Sequence, residues 1–182
     1  MRLNSLLLYC VLASTGLSLA GSASAAVQRH DDGFSVGIEQ ITPHLQQQFP
    51  WQRALIEGVL EVSLQRPELQ LLDDRAHLAV DISTLSLGQR SELGRAQISS
   101  RLRLDPAKAA IYLDQPQLIG FTLADGHSVT VDAQTRGMIN QVLADYAQQQ
   151  PVYQLPAAYA AMAAGVSDIQ IVNGRLRVRM AR

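Results

Sequence analysis

The chain has 182 residues, 47% of them hydrophobic and 17% charged, which excludes a disordered chain and suits one domain of ordinary size. A formal net charge of −1 excludes the strong positive field that general nucleic-acid binding needs. Aromatic residues are only 5%, so the core is expected to be built from Leu, Val, Ile and Ala.

The first residues read as a secretory signal peptide. Arg2 supplies a short positive region, Leu6 to Leu19 an apolar run, and "GSASAA" a small-residue cleavage motif with Ala23 and Ala25 as its A-x-A pair. The apolar run is short for a membrane span, which wants about 20 residues. Residues 1–25 are therefore expected to be removed, leaving one domain over 26–182 and no transmembrane anchor. Cys10, the only cysteine, lies inside this leader, preceded by Tyr9 and followed by more apolar sequence. It does not read as a lipid attachment site. The mature chain then has no cysteine for disulfides, thiolate catalysis or metal ligation. Cleavage removes Arg2 from fifteen basic residues and nothing from sixteen acidic ones, leaving 14 − 16 = −2.

Gly33–Gln40 reads as a short strand. A helix is expected next, with Thr42 as N-cap, Pro43 in the first helical position and an end near Pro50. From Val59 the period becomes two. Leu60, Val62 and Leu64 alternate with Glu61, Ser63 and Gln65; Pro67 interrupts; Leu69 and Leu71 resume. Leu78, Val80 and Ile82 share one face, opposite Arg75, His77, Ala79 and Asp81. In the next run Ala96, Ile98, Ser100, Leu102 and Leu104 lie opposite Arg95, Gln97, Ser99, Arg101 and Arg103. Such alternation predicts antiparallel strands with one buried face. Turns are expected at Asp73–Asp74, Gly88 to Gly94 and Asp105–Pro106.

Ala109 to Leu123 reads as another strand pair region with Pro116 at an edge or bulge, and Asp125–Gly126 as a hairpin turn leading to a strand over "SVTV". Met138, Ile139, Val142, Leu143 and Tyr146 then form one stripe of a helix over Ala133–Gln149, capped by Asp132 and ended by Pro151. An Ala-rich helical piece stops at Gly165, and Asn173–Gly174 turns a C-terminal hairpin. The elements give one α+β domain, an antiparallel sheet whose apolar face is covered chiefly by the Ala133–Gln149 helix.

Chemistry is sparse. His30, His44, His77 and His127 share no metal-ligand spacing, so neither a metal nor a cofactor is expected. Asp31–Asp32 and Asp73–Asp74 read as turn residues, as does "ADGHS" at Ala124–Ser128. No nucleophile elbow or phosphate loop is present. The protein is expected to be non-catalytic. Arg175, Arg177 and Arg179 alternate with Leu176, Val178 and Met180; near-neutral charge and the lack of interleaved aromatics favour a solvated strand face over an anion grip.

The segments "ITPHLQQQFP", "RLRLDPAKAAIYLDQPQL" and "INQVLADYAQQQPVYQL" resemble the YceB-like family of bacterial periplasmic lipoproteins, over nearly all of the mature chain. The resemblance implies a tubular lipid-binding (TULIP) architecture, with a strongly curved antiparallel sheet wrapped around one long amphipathic helix and short helices near either end. It also implies an apolar channel and no established enzymatic activity. The chain departs from that family in having no cysteine at the expected mature N-terminus, so a soluble periplasmic protein is expected.

The expected function is binding of a lipid or another apolar ligand. The alternative is a structural or protein-interaction module of the cell envelope with a filled core. Candidate lining residues on the strands are Leu78, Val80, Ile82, Ile98 and Leu102, and on the helix Met138, Val142 and Tyr146. Leu176, Val178 and Met180 complete the set. Each also fits a plain core, and no protein partner is indicated.

Overall fold

The structure, a computed structural model, describes residues 27–181. The expected leader and Cys10 lie outside the described residues. The elements run β1 (Gln28–His30), β2 (Gly33–Gly37), α1 (Ile38–Gln47), β3 (Trp51–Ile56), β4 (Leu60–Leu72), β5 (Arg75–Ser86), β6 (Gln89–Asp105) and β7 (Ala110–Leu123). Then come α2 (Ala133–Gln149), β8 (Tyr153–Gln154), α3 (Ala157–Ala160), a 3-10 turn at Ala163–Gly165, β9 (Val166–Val172) and β10 (Arg175–Met180).

The strands form two antiparallel sheets, ordered β3-β4-β5-β6-β7-β8 and β1-β2-β10-β9. This corrects the expected single curved sheet wrapped around a long helix. The C-terminal hairpin does not join the main sheet, because β10 finds an apolar match on β2: Leu176 opposes Val36 and Val178 opposes Phe34, all four fully buried. Nor is α2 enclosed. It lies chiefly along β7, burying Val142, Leu143, Tyr146 and Ala147, while Met138 on its first half is 51% exposed.

Other boundaries differ for local reasons. Helix α1 starts at Ile38, with the Gln40 side chain accepting the Gly37 N–H at 3.2 Å. Pro43 sits inside the helix on an exposed position, and Thr42 bonds back to the Ile38 carbonyl at 2.9 Å instead of capping. Between β5 and β6 only Leu87–Gly88 turns; the residues up to Gly94 are already strand. "SVTV" contributes one isolated bridge, Thr122 to Ser128. Strand β3 had no sequence counterpart.

Bulges on β3, β4, β6 and β7 shape the main sheet. Arg66 and Pro67 together oppose Val80, with Arg66 left-handed at φ 47°, so the buried parity of β4 passes from Leu64 to Pro67, Leu69 and Leu71. Leu93 is an extra residue of β6, beside Gly94 at φ +144°. On β7, Gln115 and Pro116 oppose Ser100, and Ile119 is extra further along. Bulges of this kind bend a strand and re-aim side chains. The β9–β10 turn lies near Leu71, at the opposite end of β4 from the β3–β4 turn.

Candidate functional site

At the β3–β4 end of the main sheet, α2 and the strands leave an apolar groove of about 350 Å³. One wall is Leu55, Leu60, Val62 and Leu64 of β3 and β4. The floor is Ile82 and Thr84 of β5, Leu93 of β6, and Phe121 and Leu123 of β7. The other wall is Val131 and the α2 residues Thr135, Met138, Ile139, Val142 and Leu143. Only Thr84 and Thr135 are polar, and no charged residue lines it. The volume falls at the lower end of the range of small-molecule sites, roughly 300–1,000 Å³.

Volume alone does not single it out. A cleft of about 390 Å³ lies where Asp74, Arg101 and Leu102 meet Ile169 to Ile171 and Leu176, and a shallower one of about 460 Å³ runs by Phe49, Pro50 and Arg66. Charged side chains line both. A third, about 260 Å³, lies over Asp81, whose carboxylate is held by Arg66 and by Arg95 at 2.9 Å; Arg95 also meets Glu68 at 2.7 Å. Arg66, Arg95, Asp81 and Glu68 already satisfy one another there, with the exposed Glu92 at the edge. The α2 groove is set apart by an almost wholly apolar lining.

The helix forming its wall is fixed from Asn140 onward and little covered before Ile139. In the C-terminal half, Asp145 pairs with Arg53 of β3 at 2.8 Å. Tyr146 packs against Trp51 and Phe49, each ring 5.5 Å away, and donates its hydroxyl to Gln48 at 3.3 Å. Burial pushes the Tyr146 phenol far above its ordinary range, so it stays neutral. The Asn140 side-chain oxygen accepts the Leu118 N–H of β7 at 3.0 Å. The N-terminal half has the Asp132 cap, which accepts the Thr135 N–H at 3.0 Å, and then little cover. Gly137 lies there with no neighbour within 4 Å of where a Cβ would stand.

Of the residues expected to line a site, Ile82, Met138 and Val142 do so. Leu78, Val80 and Ile98 are buried on the same face further along the strands, where Leu78 opposes Ile98 and Val80 opposes Ala96. Leu102 is half-buried and borders the cleft between the sheets. Tyr146 belongs to the aromatic cluster that holds α2. Leu176 and Val178 are core of the four-stranded sheet, and Met180 is half-buried next to Gly165.

Sequence reasoning passed over Leu55, Leu93 and Phe121 as site residues. Leu55 sits on the unrecognised β3, and Leu93 enters the groove only through its bulge. Leu60, Val62 and Leu64 were legible as a buried face, though not as the face left open.

The β10 arginines are paired to acids from the N-terminal segment. Arg177 and Arg179 hold Asp32 at 2.9 and 3.1 Å, and Arg175 reaches Glu39 at 3.4 Å. The Arg177 hydrogen bond, with help from Arg179, keeps the Asp32 carboxyl below its ordinary range. Among the described residues no three His, Cys, Asp or Glu side chains come together as a metal site, and no helix is long and apolar enough to cross a membrane.

Fold and groove together define a mostly β protein of two antiparallel sheets with an apolar groove beside its longest helix. The chain belongs to the family described as "Protein of unknown function (DUF1439)", which matches residues 37–175. All residues lining the groove fall inside that span. No curated protein matches the chain.

Proposed function

We propose that this is an exported, non-catalytic binding protein that takes a lipid or other apolar ligand in the α2 groove, and that it works in the periplasm as a soluble protein. The observation carrying this reading is the lining: fifteen residues, of which only Thr84 and Thr135 are polar. An acyl chain needs that environment, and each methylene it buries contributes about 0.8 kcal/mol. The lack of charge also argues against an anionic headgroup lying deep in the groove, since a buried unpaired charge is costly. A headgroup would sit at the mouth, where Leu55, Leu93, Leu123 and Met138 are each more than a third exposed. The resemblance to YceB-like periplasmic proteins and the leader-like first residues support the location.

The test is a titration with a polarity-sensitive apolar dye, followed by competition with a long-chain fatty acid. The reading expects saturable dye fluorescence that the fatty acid reverses. Dye that never brightens, with a fatty acid that never competes, would leave the alternative of an envelope interaction module without a small-molecule ligand.

A further inference from the structure

We propose that the turns around the groove mouth form a surface that docks on a bilayer of zwitterionic, ammonium-bearing phospholipid. The inference rests on the groove reading, since the surface continues the groove's own lip.

Ile56 and Val59 flank the β3–β4 turn and are 56% and 43% exposed. Leu87, at the β5–β6 turn, is 79% exposed. The two turns are joined: the Leu87 N–H donates to the Val59 carbonyl at 3.2 Å. Ile56 stands directly opposite Leu60 in the β3–β4 pairing, and Leu60 lines the groove, so the turn adjoins the lip.

Leu87 is the most telling residue. Its backbone is left-handed at φ 48°, followed by Gly88 at φ 83°, in a turn that favours Asn-Gly or Asp-Gly. A leucine here gains nothing from packing, because the side chain stands in solvent. It has a use when an apolar phase meets the turn. Aliphatic tips on separate turns suit a fluid surface, which needs no matching shape.

Charge selects among such surfaces. Around the mouth Glu57, Glu92, Asp125 and Asp132 are exposed, against Arg90 and Arg136. Hydrogen bonds hold the Asp125 and Asp132 carboxyls below their ordinary range, so both are ionised at neutral pH. This acidic excess repels an anionic bilayer and a second copy of the same face. A zwitterionic bilayer, in which each phosphate is balanced by an ammonium, carries no such repulsion.

The experiment is vesicle flotation of the full chain as recovered from the cells that make it. Phosphatidylethanolamine–phosphatidylcholine vesicles are compared with phosphatidylglycerol vesicles, and an apolar-dye titration of the groove runs alongside. The wild type should float with the zwitterionic vesicles and several-fold less with the anionic ones. Leu87→Asn keeps a residue that the turn tolerates and should reduce flotation roughly tenfold, the effect of withdrawing one leucine from an apolar phase. Val59→Ser should act in the same direction. Wild type that stays off the zwitterionic vesicles, variants that float as well as wild type, or capture by a protein partner without vesicle binding would each overturn the proposal. If dye binding survives such a result, only the docking is lost; if it fails too, the groove reading falls as well.

Discussion

Replacing Val142 with Phe separates an open groove from a closed core. Val142 is 6% exposed and forms part of the α2 wall. Phe adds four carbons to the side chain, and the space beside it is the groove. A chain-like ligand would lose room for about four methylenes. At about 0.8 kcal/mol each this is about 3 kcal/mol, a loss of affinity of roughly a hundredfold. Stability should respond in the opposite sense, because the ring fills space that is already apolar, so Tm should hold or rise. In a core with no such space the same change would overpack, at a cost of about 1–3 kcal/mol, which lowers Tm by several degrees in a chain of this size. The assay is fatty-acid displacement of an apolar dye, with a thermal melt on the same samples. A V142F protein that binds as tightly as wild type and melts several degrees lower would refute the reasoning.

Three further outcomes follow from the local geometry. Gly137 occupies an open helical position, so Gly137→Ala should stabilise by up to about 1 kcal/mol and raise Tm by a few degrees in a thermal melt. A Cβ on Gly94 would stand 2.1 Å from the Thr122 carbonyl oxygen, on a backbone that L side chains rarely adopt; Gly94→Ala should lower Tm by several degrees and weaken dye binding, since the bulge it disturbs carries Leu93. The Asp32 carboxyl titrates below its ordinary 3.8 when folded, so its clasp on Arg177 and Arg179 favours the folded state above that pH and is lost as pH falls through the lower folded value. The stability difference between wild type and Asp32→Asn, measured by urea unfolding across pH, should therefore be flat at neutral pH and shrink below about 3.8.

Where local chemistry alone decides, the sequence was readable. Helix α2 has the bounds that its apolar stripe, the Asp132 cap and Pro151 indicated. The Asn173–Gly174 turn adopts positive φ at both positions, as a two-residue hairpin requires, and Pro116 lies in a bulge. Sheet membership was not readable, because Leu176 and Val178 would look the same opposite β2 as opposite any other apolar strand. The groove was legible only in part. Ile82, Met138 and Val142 follow the periodicity, but Leu93 reaches the groove by breaking it. Strict alternation from Arg95 and Ala96 would put Leu93 on the wet face. An open face and a closed one also carry the same leucines, and only the placement of α2 along β7 leaves the β3–β4 side of the groove uncovered.

The central claim is that the α2 groove holds an apolar molecule. Native mass spectrometry of the chain recovered from the cells that make it tests this most directly. The account predicts a wild-type mass that exceeds the bare chain by one lipid-sized adduct, and a V142F chain from which that adduct is largely lost. Both chains emerging at the bare mass, even after incubation with a lipid extract, would contradict it.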